Sequence, residues 1–140
     1  MHRSMVRFLS RLHRSLFRVT RGVVGRRLVN NDMLLLTTRG RRSGRPHTVP
    51  LLYLEGSNDL IVLVASYGGR PHHPDWYTNL CANANAEIQI KGRRSQVLAT
   101  TAGPVERAEW WPRAVTAYAG YADYQARTDR EIPIVLLRPT

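Results

Sequence analysis

Residues 33–65 read MLLLTTRGRRSGRPHTVPLLYLEGSNDLIVLVA, and this stretch decides the fold. Three apolar runs that include β-branched residues lie at 33–38, 48–54 and 60–65. They are separated by two polar sequences in which glycine is combined with serine, asparagine or charged residues. Short apolar runs between such turn sequences predict three β-strands.

The rest of the chain adds strands and two helices. Apolar or alternating runs at residues 86–90, 95–101 and 132–137 predict three more strands. Helices are expected to begin at Pro74 and Pro104, because proline is favoured in the first turn of a helix. About six strands with interspersed helices and no regular strand–helix alternation favour a mixed β/α protein built on a small antiparallel barrel.

Length and composition limit the classes of protein that need to be considered. The chain has 140 residues, 43% of them hydrophobic and 22% charged, which fits one folded domain. No apolar run reaches the ~18 residues of a membrane-spanning helix. The single cysteine, Cys81, excludes an internal disulfide, so a reducing, cytoplasmic setting is expected. Adjacent His72 and His73 would point to opposite faces of a strand, so no metal site is predicted, and no GxSxG motif supports nucleophilic hydrolysis.

The N-terminal segment differs from the rest of the chain in charge. Residues 1–42 carry 11 arginines and one acid, whereas residues 43–140 carry ten basic and nine acidic side chains. Between residues 3 and 24, apolar side chains and arginines fall on separate arcs of a helix, which predicts a basic amphipathic helix. We therefore expect an N-terminal helix at residues 1–30 and a barrel domain at residues 31–140.

Three uses of this helix are open on the sequence. Its apolar face would pack on the chain's own domain or dock on an anionic membrane surface, or its arginines would contact nucleic acid or another protein. Residues 1–24 contain neither tryptophan nor tyrosine. Because basic residues interleaved with aromatic ones are typical of nucleic-acid surfaces, no nucleic-acid partner is expected.

The turn GRRSGRP at residues 40–46 carries the first candidate site. Its two glycines allow a ligand to approach the backbone closely, and Arg41, Arg42 and Ser43 add charged and hydroxyl donors. This combination predicts a site for phosphate or carboxylate groups, with His47 as a nearby hydrogen-bond partner. The alternative is a solvated surface turn, since the spacing matches neither GxxxxGK[ST] nor GxGxxG.

Aromatic residues gather in PDWYTNL at 74–80 and again at 110–124. Tyr118, Tyr121 and Tyr124 recur every three residues, which places them on one side of a helical or turn segment. Such rings either close the barrel or cover a flat ligand and bond it through their phenol groups.

The stretches that carry these features resemble a known family. They are LLLTTRGRRSGRPHTVPLLYL, VLVASYGGRPHHPDWYTNLCANANAEIQI and ERAEWWPRAVTAYAGYADYQARTDREIPIVLL. In content, order and spacing they are similar to the deazaflavin (coenzyme F420)-dependent nitroreductase and quinone reductase family of actinobacteria. The resemblance runs from about Met33 to the C-terminus and implies a split β-barrel of the flavin-reductase-like type.

The resemblance implies coenzyme F420 as the cofactor, and FMN is less favoured because the basic turn suits the phosphate and oligoglutamate tail of F420. The tail is assigned to the basic turn, and the deazaflavin ring to the strands and loops around it and to the helix after Pro74. The implied cofactor-binding residues are Arg41, Arg42, Ser43, His47, Thr48, Val49, Pro50, Leu51, Leu52, Val64, Ala65, Ser66, Tyr67, Asp75, Trp76, Tyr77, Thr78 and Asn79.

The substrate side is assigned in the same way. The resemblance implies that Tyr118, Tyr121, Tyr124 and Leu52 face the substrate. Tyr121 and Ser66 are the implied catalytic residues, as hydrogen-bond donors to an acceptor oxygen that gains negative charge.

Three positions depart from the best-known nitroreducing member of the family. Leu52 replaces a tyrosine, Tyr67 replaces a lysine and His47 replaces an arginine. These departures disfavour nitroimidazole activation and tight binding of the tail, and they leave cofactor binding in place.

The implied function is hydride transfer from F420H2 to a quinone or another planar conjugated acceptor, nitro compounds included. The alternative is a non-catalytic protein that binds or carries F420 or FMN. Because an apolar quinone resides in the membrane, docking of the N-terminal helix would place the protein at the inner face of the cell membrane, and packing of the helix on its own domain stays open as the alternative.

Overall fold

The structure, a computed structural model, describes residues 33–140. These residues form seven strands, a single-turn 3₁₀ helix at Tyr67–Gly69, and three α-helices. The strands are β1 (Met33–Arg39), β2 (Pro46–Leu52), β3 (Leu54–Glu55), β4 (Ile61–Val64), β5 (Asn85–Ile90), β6 (Arg93–Thr101) and β7 (Ile134–Pro139). The α-helices are α1 (Asp75–Ala82), α2 (Pro104–Ala117) and α3 (Gly120–Ala126).

The strands of residues 33–140 form one antiparallel sheet in the order β2-β1-β5-β6-β7-β4-β3. On β1, Leu36 lies opposite Val49 of β2 on one side and Ile88 of β5 on the other. The sheet curls until β2 contacts β4, which gives a half-barrel. The predicted mixed β/α class with an antiparallel split barrel and interspersed helices is therefore confirmed.

The predicted strand count of about six is one too low. The run at residues 48–54 is divided between two strands, because the chain turns at buried Tyr53. Before this residue β2 pairs with β1, and after it the two residues of β3 pair with β4 at the other end of the sheet. Strand β2 carries Pro46 and Pro50, and an edge strand tolerates proline because one row of its N–H groups is not needed for the ladder.

Two layers of apolar side chains hold the half-barrel together. The inner layer includes Leu36, Leu63 and Leu137, all less than 2% exposed. On the outer face of β4 and β7, a second layer is covered by α2 and α3 through Trp110 and Tyr121. Because β4 and β7 are buried on both faces, they appear in the sequence as continuous apolar runs.

The helix starts follow the prolines as predicted. Pro74 directly precedes α1, and Pro104 is the first residue of α2. The backbone N–H of Gly103 donates to the Glu106 side chain at 3.3 Å, which satisfies one of the free donors at the start of α2. The position of Pro74 in the sequence thus predicted where α1 begins after the loop that follows β4.

The N-terminal helix predicted at residues 1–30 lies outside the described residues. Within residues 33–140, none of the helices has the length and apolar character needed to cross a membrane.

Candidate functional site

The basic turn joins β1 to β2 and has a fixed backbone. The N–H of Gly40 donates to the carbonyl of Arg45 at 2.8 Å, and the N–H of Gly44 donates to the carbonyl of Gly40 at 2.9 Å. Gly44 has a φ of +73°, in the region that favours glycine. A Cβ atom on Gly40 would lie 2.6 Å from the Ser43 hydroxyl, so the turn has no room for a side chain there.

Arg41 ties this turn to the start of α1. Its backbone N–H and its Nη1 both donate to Oδ1 of Asn79, at 3.1 and 2.9 Å, and its Nη2 lies 3.5 Å from the Asp75 carboxylate. Asn79 is only 4% exposed and donates in turn to the Thr38 hydroxyl at 3.2 Å. Arg41 is therefore held in place by protein partners. Two of these partners, Asp75 and Asn79, are themselves residues of the predicted site.

The other polar residues of the turn point their groups outward or to each other. Arg42 is exposed, and the Ser43 hydroxyl lies 3.3 Å from Nε2 of His47. Along β2, the Thr48 hydroxyl bonds that of Thr37 at 2.7 Å. Arg42 is thus exposed to solvent, like Arg45 of the same turn, and it can meet an anion there.

The apolar residues assigned to the cofactor on β2 are not equally accessible. Pro50 is buried, and Leu52 is partly exposed. Val49 and Leu51 are partly buried and pack against the inner layer of the half-barrel. These two side chains therefore contribute to the barrel as well as to its surface beside the turn.

The loop after β4 has an unusual backbone. Ser66 has right-handed φ and ψ values of −74° and −39°, whereas Tyr67, Gly68 and Gly69 have φ values of +47°, +64° and +76°. A right-handed residue followed by a left-handed one turns successive N–H groups toward one side, which makes a concave site for an anion. A left-handed conformation is uncommon for a non-glycine residue such as Tyr67.

Arg130 stabilises the backbone of this loop. Its guanidinium donates to three backbone carbonyls, those of Ser66 at 2.7 Å, Arg70 at 2.9 Å and Ala65 at 3.2 Å. Its Nη1 also lies 3.0 Å from Nδ1 of His73. Because an arginine can only donate, Nδ1 is the acceptor and His73 is neutral in this arrangement.

Burial and the nearby charge of Arg130 lower the pKa of His73 below its ordinary value, with a smaller effect from His72. The lowered pKa keeps the imidazole neutral at neutral pH and preserves its bond with Arg130. Gln125 supports the same corner, since its amide donates to the Arg130 carbonyl at 2.8 Å and accepts from the Ile132 N–H at 2.9 Å.

Neither the residue patterns nor the family resemblance predicted a role for Arg130 or Gln125, although both lie in the last of the three stretches that resemble the family. The sequence offered one indication of such a role, because Arg130 is a basic residue shortly before the last strand within a stretch that resembles the family. The three carbonyls it contacts lie 60 to 65 residues earlier, so the partnership is visible only in the folded chain.

The three tyrosines form one cluster, as their spacing predicts. Their ring centroids are 5.0 to 6.4 Å apart, and the hydroxyls of Tyr118 and Tyr124 lie 3.2 Å from each other. Burial is the main cause that raises the pKa of Tyr121, and it raises the pKa of Tyr124 to about 12. Both phenols therefore stay protonated and able to donate hydrogen bonds at neutral pH.

This cluster lies against the loop after β4. A Cβ atom on Gly69 would be 2.5 Å from the carbonyl oxygen of Tyr124, so α3 and the loop are in close contact. Tyr121 is 6% exposed and packs in the outer layer of the core. The predicted catalytic pair, Ser66 and Tyr121, thus belongs to two elements that touch.

Three predicted cofactor residues of α1 make contacts within the protein itself. Trp76 is 8% exposed and belongs to the inner apolar layer. The hydroxyl of Tyr77 bonds that of Thr101 on β6 at 2.8 Å, and the Thr78 hydroxyl donates to the Asp75 carbonyl at 3.0 Å. Trp76 and Tyr77 therefore connect α1 to the barrel wall.

Two elements whose donors suit anions are both connected to α1. The basic turn bonds Asp75 and Asn79 of α1 through Arg41, and the loop of residues 66–70 leads through Pro74 into the same helix start. The curled antiparallel sheet with its interspersed helices defines a protein of the split-barrel fold class. The model of the F420H(2)-dependent quinone reductase family matches residues 9–139, and the chain belongs to this family.

Family membership confirms the predicted class, an F420-dependent oxidoreductase, and F420 as the cofactor. The match also includes part of the N-terminal segment, earlier than the start at Met33 that the motifs indicated.

Relatives and a solved structure are similar over most of the chain. An F420H(2)-dependent quinone reductase of Mycobacterium tuberculosis (strain ATCC 25618 / H37Rv) is 38% identical over 133 residues, 92% of this chain and 89% of that protein. A second protein of the same strain, with the same family name, is 46% identical over 106 residues, 76% of this chain and 88% of its own length. The solved structure of an F420-H2 dependent reductase, FDR-A, is 40% identical with a TM-score of 0.69, and the match covers 76% of this chain and 93% of that one.

Proposed function

We propose that this chain reduces a quinone with F420H2, and that the cofactor lies between the basic turn and the loop of residues 66–70. One observation carries the proposal. Arg41 joins the basic turn to Asp75, the first residue of α1, and to Asn79 in the middle of that helix, and the loop held by Arg130 runs through Pro74 into the same helix. The basic turn and the loop of residues 66–70 are thereby both connected to α1, the turn through Arg41 and the loop through the chain itself.

The residues of the site fit the chemistry of F420. Its phosphate and glutamate tail is a flexible polyanion, and exposed Arg42 with the Ser43–His47 pair offers donors to it. Arg41 keeps its fork in place through Asn79, so it would add charge at little cost in side-chain entropy. The left-handed backbone at Tyr67 leaves a concave set of N–H groups on the other wall.

When bound, reduced F420 supplies a hydride from the ring carbon that replaces the reactive flavin nitrogen. The chain's own part is to orient the acceptor and to stabilise charge on it. A quinone oxygen gains negative charge as hydride arrives, and the phenol of Tyr121 or the hydroxyl of Ser66 is proposed to donate a hydrogen bond to it. The raised pKa of Tyr121 keeps this phenol in the donor form. A solvent-linked proton completes the quinol.

Quinones are the favoured acceptors because the relatives described above carry that substrate in their names. Nitro compounds are proposed only as secondary acceptors. Leu52, which is partly exposed on β2, offers an apolar contact where a tyrosine would offer a hydroxyl. An apolar wall of this kind suits a hydrophobic quinone ring better than a polar nitro group.

The proposal is tested by anaerobic steady-state assay of the full chain with F420H2 and a water-soluble quinone. We expect quinone-dependent recovery of the oxidised deazaflavin absorbance. Replacement of F420H2 by FMNH2 is expected to give a much lower kcat/KM, because FMN lacks the glutamate tail. Equal rates with both reductants would overturn the assignment of the basic turn to the F420 tail.

For the N-terminal segment we propose peripheral binding to an anionic membrane surface, on the sequence alone. Its arginines would meet lipid headgroups and its apolar arc would insert among them, each basic residue contributing about 1 kcal/mol. Full-length protein with Arg7, Arg11 and Arg14 changed to glutamine should lose co-sedimentation with anionic vesicles and keep F420 affinity. Unchanged co-sedimentation, or a loss of F420 affinity, would favour a helix that packs on its own domain.

A further inference from the structure

Arg70, at the end of the loop after β4, has a guanidinium group that the fold leaves incompletely satisfied. Its Cζ lies 5.0 Å from the centroid of the Tyr67 ring. Its Nε and Nη1 atoms are shielded from solvent and have no hydrogen-bond partner within residues 33–140. Neither the sequence motifs nor the family resemblance singled out this residue.

Shielded N–H groups of a cation without acceptors are costly, since they lose water and gain nothing in return. The stacking of Arg70 on Tyr67 recovers part of this cost through a cation–π contact, but it leaves the donors in the plane of the guanidinium unused. An anionic oxygen in the plane of the guanidinium would satisfy one of these N–H groups with a charge-assisted hydrogen bond. Arg70 therefore has N–H donors, on Nε and Nη1, that a bound anion would satisfy.

The loop that carries Arg70 supplies no negative charge to balance it. The loop of residues 66–74 holds one arginine and two histidines and no acidic residue. His72 lies against the same tyrosine, with its ring centroid 5.5 Å from that of Tyr67. Arg130 brings a second cation, which donates to the Arg70 carbonyl at 2.9 Å. Asp75, the first acid after the loop, is paired with Arg41 at 3.5 Å.

We propose that Arg70 binds an anionic oxygen of the F420 tail, assisted by the backbone N–H groups of residues 66–68, and forms a second tail-binding wall opposite Arg42. This inference rests on the proposed function. The tail is the partner because its phosphate and carboxylates carry permanent charge, whereas a quinone is neutral until it is reduced. The stacked ring of Tyr67 keeps the guanidinium extended over the loop and limits the entropy lost on binding.

The test compares two ligands and four proteins by fluorescence titration. The ligands are F420 and its deazaflavin–ribitol fragment, which lacks the phosphate and the glutamates. The proteins are the wild type, Arg70→Gln, Arg70→Lys and, as the matched control, Arg127→Gln. Arg127 also lies over a tyrosine, 5.7 Å from the centroid of the Tyr124 ring, but it is exposed.

We expect Arg70→Gln to weaken F420 binding about tenfold and to leave the affinity for the fragment unchanged, since one charge-assisted contact is lost. Arg70→Lys should give a smaller loss, again for F420 alone, because lysine keeps the charge without the planar fork. Arg127→Gln should change neither affinity.

Unchanged F420 affinity in Arg70→Gln would overturn the inference, and so would equal losses for F420 and the fragment, which would make Arg70 a support of the loop. If Arg70→Gln does not fold, Arg70→Lys decides by the same comparison of the two ligands. Failure of the wild type to bind either ligand would instead remove the proposed function itself.

Discussion

Nη2 of Arg130 lies 2.7 Å from the carbonyl oxygen of Ser66. The two residues are 64 positions apart, and the bond closes the loop after β4 onto the segment that leads into the last strand. The same guanidinium holds the carbonyls of Ala65 and Arg70, so it fixes both ends of the loop. This backbone needs such support at Tyr67, because a left-handed conformation of a non-glycine residue costs free energy that contacts elsewhere must offset.

The first prediction concerns this guanidinium. Arg130→Lys keeps the charge but cannot reach three carbonyls, so we expect a fall in Tm and about a tenfold loss of F420 affinity, since bonds to a charged group contribute roughly 1.5 to 3 kcal/mol each. Calorimetry and fluorescence titration measure the two effects. Arg138→Gln is the control, because Arg138 is exposed and bonds Thr100 and Glu106 away from the loop. Normal F420 affinity in Arg130→Lys would show that the loop keeps its shape without the three hydrogen bonds from Arg130.

The second prediction separates the two arginines of the basic turn. Arg42→Ala should weaken F420 binding about tenfold, reduce its salt dependence and leave Tm unchanged, because Arg42 is exposed and its attraction to an anion is screened by salt. Arg41→Ala should also lower Tm, with a loss of about 1 kcal/mol in the free energy of unfolding, because the bond from Nη1 to Asn79 and the ion pair with Asp75 are lost.

The matched control for both is Arg94→Ala. Arg94 pairs with Gln89 near the β5–β6 turn, at the end of β5 that is away from the basic turn. Isothermal titration at two salt concentrations distinguishes the variants. A salt slope that is the same in Arg42→Ala and the wild type would exclude Arg42 from the tail site.

Much of this site follows from local sequence, and part of it does not. The glycines and arginines of residues 40–46 predict a turn suited to anions because turn geometry is set by neighbouring residues. The helix start after Pro74 is local in the same way. The division of residues 48–54 at Tyr53 is not, because it depends on β3 finding β4 across the curled sheet.

The roles of Arg70 and Arg130 lie beyond local sequence for the same reason. An arginine in a loop is usually solvated, and nothing near Arg130 in the chain indicates that its partners are carbonyls of residues 65, 66 and 70. The sequence also left the two arginines of the basic turn equivalent, whereas the buried Asn79 selects Arg41 as its partner.

The third prediction concerns pH. Arg130, His72 and the ring of Tyr77 face His73, whose pKa is below the ordinary histidine value of about 6.5. The unfolded chain therefore binds a proton more readily than the folded one, so His73 lowers stability as pH falls through about 6.5. His73→Gln retains an acceptor for Arg130 without titrating. We expect Tm to fall less between about pH 7.5 and about pH 5.5 in this variant than in the wild type.

The control for this measurement is His47→Gln, since His47 lies on the basic turn and not beside Arg130. It should retain the wild-type change of Tm with pH. If His73→Gln retains it too, the imidazole does not govern the acid sensitivity of the loop.

The fourth prediction concerns the tyrosine cluster. Tyr121→Phe retains the buried ring and removes the hydroxyl, so F420 affinity should stay nearly constant while quinone turnover falls about tenfold, the value of one hydrogen bond made in the transition state. Tyr118→Phe is the paired variant, because the Tyr118 hydroxyl bonds that of Tyr124. It should have a smaller effect on turnover. Equal losses in the two variants would withdraw the donor role from Tyr121.

The central claim is that this chain couples F420H2 oxidation to quinone reduction at the site between the basic turn and the loop after β4. It is tested most directly by an anaerobic single turnover, in which protein loaded with one equivalent of F420H2 is mixed with excess water-soluble quinone. We expect rapid return of the oxidised deazaflavin absorbance, one quinol for each F420H2, and a rate that depends on quinone concentration. Tight binding of F420H2 without quinone-dependent oxidation would contradict it and identify the chain as a carrier of the cofactor.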